Sequence, residues 1–200
     1  MSNNPKNQQG LLVVLSAPSG CGKTSVVERL LIRHPDWMRS VSVTTRLPRM
    51  GEEHGSHYYF HSKDEFLKMK DRAEFLEWAE IYGQFYGTPK DFVSRQVDQG
   101  NVVILTIDVQ GSKQIQGIWG RDRPMLSVFV LPPSIKALRE RLTNRNTETP
   151  EEIERRISIA QDEIKAAALY EKTVINQNLD QAVLEVEEII MNKLKERSQT

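Results

Sequence analysis

The chain has 200 residues, 38% hydrophobic and 27% charged, with 27 basic side chains balanced by 27 acidic ones. That length fits one domain with a real core and room for small insertions, and zero net charge excludes the basic surplus of a general nucleic-acid or membrane-surface binder. A lone cysteine, Cys21, excludes an internal disulfide framework, and no run approaches the roughly 18 apolar residues of a membrane span.

In chain order, the polar opening MSNNPKNQQG lacks the apolar centre of a signal peptide. Residues 1–10 therefore read as a disordered tail, and the protein as cytoplasmic. LLVVL (11–15) predicts a buried strand and TSVVERLLIR (24–33) the helix after it. NVVILTID (101–108) is a second buried strand, followed by a shorter helical stretch that holds Gly111 and Gly117. LSVFVL (126–131) is a third, stopped by Pro132 and Pro133 and followed by the helical IKALRERL. KTVIN (172–176) is a fourth, ahead of the long helical pattern LDQAVLEVEEIIMNKLKE. Continuous apolar strands separated by helices predict an α/β fold, with a parallel sheet covered on both faces.

Two segments break this rhythm. Residues 41–92, rich in Tyr, His, Arg and Gly, read as short strands plus one helix, for which Ser62 and Glu65 have capping-box spacing. Residues 143–150 are polar and lead into a helix with Thr149, Pro150 and Glu152 at its cap, first-turn and box positions. The plan is a single domain over 11–200. Its core comprises 11–40, 93–142 and 157–200, with an insertion at 41–92 and a small lid at 143–156. Both extra pieces fall near strand ends, where open parallel sheets bind ligands.

The stretch SAPSGCGKTS (16–25) follows the first strand directly. It departs from G-x-x-x-x-G-K-[ST] only in having Ala17 at the first glycine position. In such a loop successive N–H groups point inward and the helix start adds partial positive charge, so phosphates bind. The cradle spans Ala17, Pro18, Ser19, Gly20, Cys21 and Gly22, with Lys23 reaching the outer phosphates of a nucleoside triphosphate and Thr24 ligating Mg²⁺. Cys21 fills a tolerant loop position, and alanine at 17 requires an ordinary negative φ there.

In the insertion, Arg46 and Arg49 stand three apart in TTRLPRMGE, a spacing suited to a phosphate that arginines match bidentately and tyrosine hydroxyls complete. Glu77 in FLEWAE is a carboxylate able to accept two parallel N–H bonds from a guanine edge; adenine presents an acceptor there. With SAPSGCGKT, HYYF, YGT, IDVQG and NRNTETPEE, these motifs cover the chain from about residue 11 to 195. The chain resembles the guanylate kinases, nucleoside monophosphate kinases with a P-loop core.

The resemblance implies a GMP-binding insertion in which Ser42, Glu77 and Thr88 read the base while Arg46, Arg49, Tyr58 and Tyr86 hold the phosphate. It places Asp108 near the GMP base and the metal's water shell. Thr106 stands where the family often has an acidic residue, and Asn146 follows Arg145 where glycine is frequent, implying a stiffer lid hinge. Phosphoryl transfer needs positive charge around the moving group. Arg145 in the lid loop and Arg156 on the following helix are the catalytic arginines expected beside Lys23 and Arg49, with Arg141 as a further ATP contact. Ile153, Ile157, Ala160 and Ile164 form a core-facing stripe that Arg156 flanks and Arg155 opposes. The activity implied is ATP + GMP ⇌ ADP + GDP with Mg²⁺, with no nucleic-acid or membrane partner. The alternatives are a non-catalytic scaffold that binds phosphopeptides, and a P-loop kinase for another phosphorylated acceptor.

Overall fold

The computed structural model describes residues 10–81, 83–119, 123–144 and 149–198. In its first half the elements are β1 (Leu11–Ser16), α1 (Lys23–Arg33), β2 (Met38–Arg39), β3 (Val43–Thr44), β4 (Tyr59–Phe60), α2 (Lys63–Asp71), β5 (Phe75–Ile81), β6 (Gln84–Pro89) and α3 (Lys90–Asp98). There follow β7 (Val102–Thr106), α4 (Val109–Ile118), β8 (Met125–Leu131), α5 (Ile135–Thr143), α6 (Pro150–Lys165), a 3-10 turn (Ala166–Leu169), β9 (Lys172–Ile175) and α7 (Leu179–Ser198).

The apolar strands pair in parallel in the order β2-β7-β1-β8-β9, so β1 lies at the centre of a five-stranded sheet. Alternation of side chains along a strand then divides its residues between two layers. Leu11, Val13 and Leu15 pack with Val26, Leu30, Leu138, Ile157 and Val186 from α1, α5, α6 and α7. Leu12 and Val14 face the other way, onto Val93 and Val97 of α3, Ile115 of α4 and Trp119 at its C-cap, with Leu76 of β5. Leu12, Leu30 and Ile115 are 0% exposed, and full burial of one such side chain contributes about 1.5–3 kcal/mol.

The insertion builds a second sheet, β4-β3-β6-β5, over a satellite core of Val43, Phe66, Phe75 and Phe85. Its helix α2 starts at the expected capping box, Ser62 accepting from the Glu65 N–H while Glu65 accepts from that of Ser62. The same reciprocal pair forms between Thr149 and Glu152 at the start of α6, with Pro150 in the first turn. Residues 143–156 are not one element. α5 ends at Thr143, and α6 runs unbroken from Pro150, with Ile153 already in the main core.

Two elements go beyond the sequence pattern. β2 has two residues, too few to show a period, and α3 follows Pro89 with no side-chain cap. The expected tail over 1–9 lies outside the described residues, whereas Gly10 is anchored. Its N–H donates to the Val97 carbonyl at 2.9 Å, and its carbonyl accepts from Arg197 at 2.7 Å.

Candidate functional site

Between β1 and α1 the chain turns through Gly20 at φ 88° and Gly22 at φ 85°, left-handed angles that favour glycine. Ala17 is not in that region, so its side chain costs nothing. Asn176, just past β9, donates from Nδ2 to the Cys21 carbonyl at 2.8 Å, and its own backbone carbonyl accepts from Arg141 at 2.7 Å. That chain of bonds holds the Cys21 carbonyl away from the cradle. Cys21 itself is 0% exposed and sits in the main core, a packing thiol.

The loop walls a cavity of ≈ 570 Å³ that also takes in Asp108, Arg156 and Glu163. Lys23 Nζ donates to the Ile107 carbonyl at 3.0 Å, and Ser16 Oγ bonds the same oxygen at 2.9 Å. Burial lowers the Lys23 pKa, opposed by the charges of Asp108, Glu163 and Glu77. The two α6 arginines part as the stripe implies. Arg156 Nη1 donates to Ser19 Oγ at 3.0 Å, and Arg155 is exposed. Glu163, seven residues on from Arg156, has its pKa raised chiefly by burial. Arg145 and Asn146 fall outside the described residues.

A second cavity, of ≈ 350 Å³, is lined by Ser42, Arg46, Arg49, Tyr58 and Tyr86, as well as Thr106 and Thr24. Arg46 Nη2 pairs with Glu52 at 2.9 Å, and Arg46 Cζ lies 5.5 Å from the Tyr58 ring centre; Tyr58 in turn meets Tyr86 edge-on at 6.0 Å. The Arg46 hydrogen bond draws the Glu52 carboxyl down to about 2. Glu52 also accepts from the Arg49 N–H at 2.7 Å, while the Arg49 side chain is exposed. Thr24 lines both cavities, on the wall between them.

Glu77 and Thr88 do not line this second cavity. Glu77 is 5% exposed and Thr88 0%. Facing each other across the β5–β6 ladder, they bond directly, Thr88 Oγ1 donating to Glu77 Oε1 at 2.5 Å. Thr88 thus orients the carboxylate, and the two residues expected to read the base stand side by side in the fold. Burial pushes the Glu77 carboxyl up to about 7, outweighing the Thr88 bond. Asp108 stands close enough to Glu77 and to Lys23 for its charge to act on both. It lies past the end of β7, caps α4 by accepting from the Gly111 N–H at 2.8 Å, and lines the first cavity rather than the second.

Sequence reasoning passed over Asn176, Glu163 and Glu52. Asn176 stands at the carboxyl end of a parallel strand, and Glu163 shares a helix face with Arg156 at a spacing of seven, so both carried a readable signal. Gln114 carried none. From α4 it accepts from the Trp78 N–H and donates to the Trp78 carbonyl, tying the insertion to the core.

Residues 9–193 match the family model described as guanylate kinase. A guanylate kinase of Caldanaerobacter subterraneus subsp. tengcongensis is 41% identical over 184 residues, 92% of this chain and 88% of that one. One from Synechocystis is 43% identical over 183 residues, 92% and 94%. The crystal structure of guanylate kinase from Anaplasma phagocytophilum superposes with a TM-score of 0.77 at 31% identity, covering 94% of this chain and 88% of that one.

Proposed function

The chain belongs to the guanylate kinase family, and on that premise we propose that it transfers the γ-phosphoryl group of ATP to the phosphate of GMP, and of dGMP, giving ADP and GDP. One observation carries the reading beyond the family: a phosphate cradle and an arginine–tyrosine cavity meet at Thr24, between the two phosphates that react.

The donor triphosphate lies on the loop from Ala17 to Thr24, with Arg141 on the ATP side. The left-handed Gly20 and Gly22 shape the loop, and Thr24 offers a hydroxyl oxygen suited to a hard cation, so these residues fit Mg²⁺–ATP. Thr24 would hold the ion, which neutralises charge on the bridged phosphates when bound. Arg46, Arg49, Tyr58 and Tyr86 take the GMP phosphate, and Ser42, Glu77 and Thr88 the base. An oxygen of the GMP phosphate attacks the γ-phosphorus, and the bond to the β–γ bridging oxygen breaks with its electron pair leaving on ADP. Lys23, leaving the Ile107 carbonyl, and Arg156, leaving Ser19, supply positive charge to the group in flight; Arg145 joins them from the lid. Domain closure excludes water, the competing acceptor.

By this reading 41–92 is the GMP-binding piece, 143–156 the lid, and the rest of 11–200 the core, to which Gly10 is also tied. The work belongs to purine nucleotide metabolism in the cytoplasm, where a chain whose one cysteine is Cys21 fits a reducing milieu. Among the described residues no helix is long and apolar enough to cross a membrane. The test is a coupled ADP-release assay with GMP, AMP, CMP and UMP as acceptors. Turnover confined to GMP is expected; equal turnover of AMP, or none with any acceptor, would overturn the proposal.

A further inference from the structure

Gly111 lies in the first turn of α4, buried, with its N–H held by Asp108. A Cβ placed on it would stand 3.0 Å from Glu77 Cδ and 3.3 Å from Cγ, and closer still to Oε2. These three atoms are the nearest neighbours of that position, so the space a side chain would fill is the space the carboxylate occupies. Gly117, on the same helix, has open space at its Cβ position.

We infer that Gly111 is a specificity-determining position: its missing side chain lets the carboxylate of Glu77 dock against the start of α4, in the place from which it reads guanine. Two contacts define that place. Thr88 bonds Oε1 from the β6 side, and the bare Cα of Gly111 admits Oε2 from the α4 side. Asp108 is part of the arrangement because its bond to the Gly111 N–H fixes where the first turn of α4 lies. Gly111 is therefore a positioning residue that acts through Glu77. The obstacle to a methyl group is the end of a flexible side chain, and alanine favours a helix over glycine. A substituted protein can thus fold with the carboxylate displaced, separating a loss of base reading from a loss of structure. The inference rests on the guanine-reading role proposed for Glu77.

The test compares Gly111→Ala with Gly117→Ala in the full chain, measuring kcat/KM for GMP and for AMP, KM for ATP, and Tm. For Gly111→Ala, kcat/KM for GMP is expected to fall about a hundredfold, mainly through KM, because a site built to bond a polar edge fails when its partner moves. The GMP/AMP ratio should shrink, while KM for ATP stays within about twofold and Tm within a few degrees of the parent. Gly117→Ala should match the parent in every measurement. A parent-like GMP/AMP ratio in Gly111→Ala would overturn the inference, as would an equal loss in both variants or a collapse of Tm. A parent enzyme without preference for GMP would instead overturn the guanine reading itself, and this inference with it.

Discussion

The donor and acceptor sides of the cleft are built in opposite ways. The donor cradle is one contiguous loop, sprung from the fully buried central strand and pinned by Asn176. The acceptor side is gathered from the residues on either side of β3, from Tyr58 ahead of β4, and from β5 and β6, over a satellite core that holds Val43, Phe66, Phe75 and Phe85. One of its two phosphate-binding arginines carries a counter-ion of its own. Arg46 rests on Glu52, and Glu52 also takes the Arg49 N–H. Lys23, by contrast, is tied to a neutral carbonyl in surroundings that disfavour its charge. On the proposed reading, the core carries an anion site that a triphosphate completes, while the insertion carries a counter-ion for a phosphate to displace.

The sharpest way to break this contrast is Lys23→Ala. Removing one preorganised charge from the donor side should cost on the order of 3–4 kcal/mol of transition-state stabilisation, with GMP affinity by calorimetry nearly unchanged. Turnover within threefold of the parent would contradict the assignment of the cradle. Arg49→Lys probes the other side by keeping the charge and losing the fork. Its expected cost is about 1.5–3 kcal/mol, seen as weaker GMP binding with a lower rate; a change confined to ATP affinity would put Arg49 on the wrong substrate.

A smaller effect is written in pH. Glu77 must be ionised to accept two N–H bonds, and burial holds its carboxyl near about 7. The GMP/AMP ratio of kcat/KM, in which the ionisation of the phosphate common to both acceptors cancels, should therefore fall about tenfold from pH 8 to pH 6. Stability runs the opposite way. The folded chain keeps this proton above the pH at which the unfolded chain releases it, so this contribution is full at pH 4 and is lost as pH rises through 7. Melting scans of the parent and Glu77→Gln would show the parent losing stability relative to the variant across that window. A pH-independent GMP/AMP ratio would contradict the shifted carboxyl.

Legibility in the sequence follows the same division. The cradle was plain because strand, loop, Lys-Thr and helix are consecutive, and each follows from a local rule. The main core was equally plain, since continuous apolar runs bounded by glycine and proline have one economical arrangement. Helical periodicity and the family resemblance pick the same residue in Arg156, and the structure turns it onto Ser19 while Arg155 is exposed. The base-reading region was opaque to local rules. Nothing near FLEWAE says that Glu77 is buried, that Thr88 eleven residues away bonds it, or that Gly111 makes room for it. Those facts depend on how two elements meet, and only the family resemblance pointed there. It also pointed to Thr88, which the fold sets beside Glu77.

The central claim is that an acceptor side gathered from separate elements chooses the base through one buried carboxylate. Its most direct measurement is the ratio of kcat/KM for GMP to that for AMP in Glu77→Gln. One acceptor oxygen becomes a donor facing a guanine N–H, and hydrogen bonds to charged groups contribute about 1.5–3 kcal/mol each. We predict a fall of about a hundredfold or more in kcat/KM for GMP, a GMP/AMP ratio reduced accordingly, and unchanged ATP binding. A GMP/AMP ratio equal to that of the parent would show that Glu77 is a buried structural carboxylate and that guanine is read elsewhere.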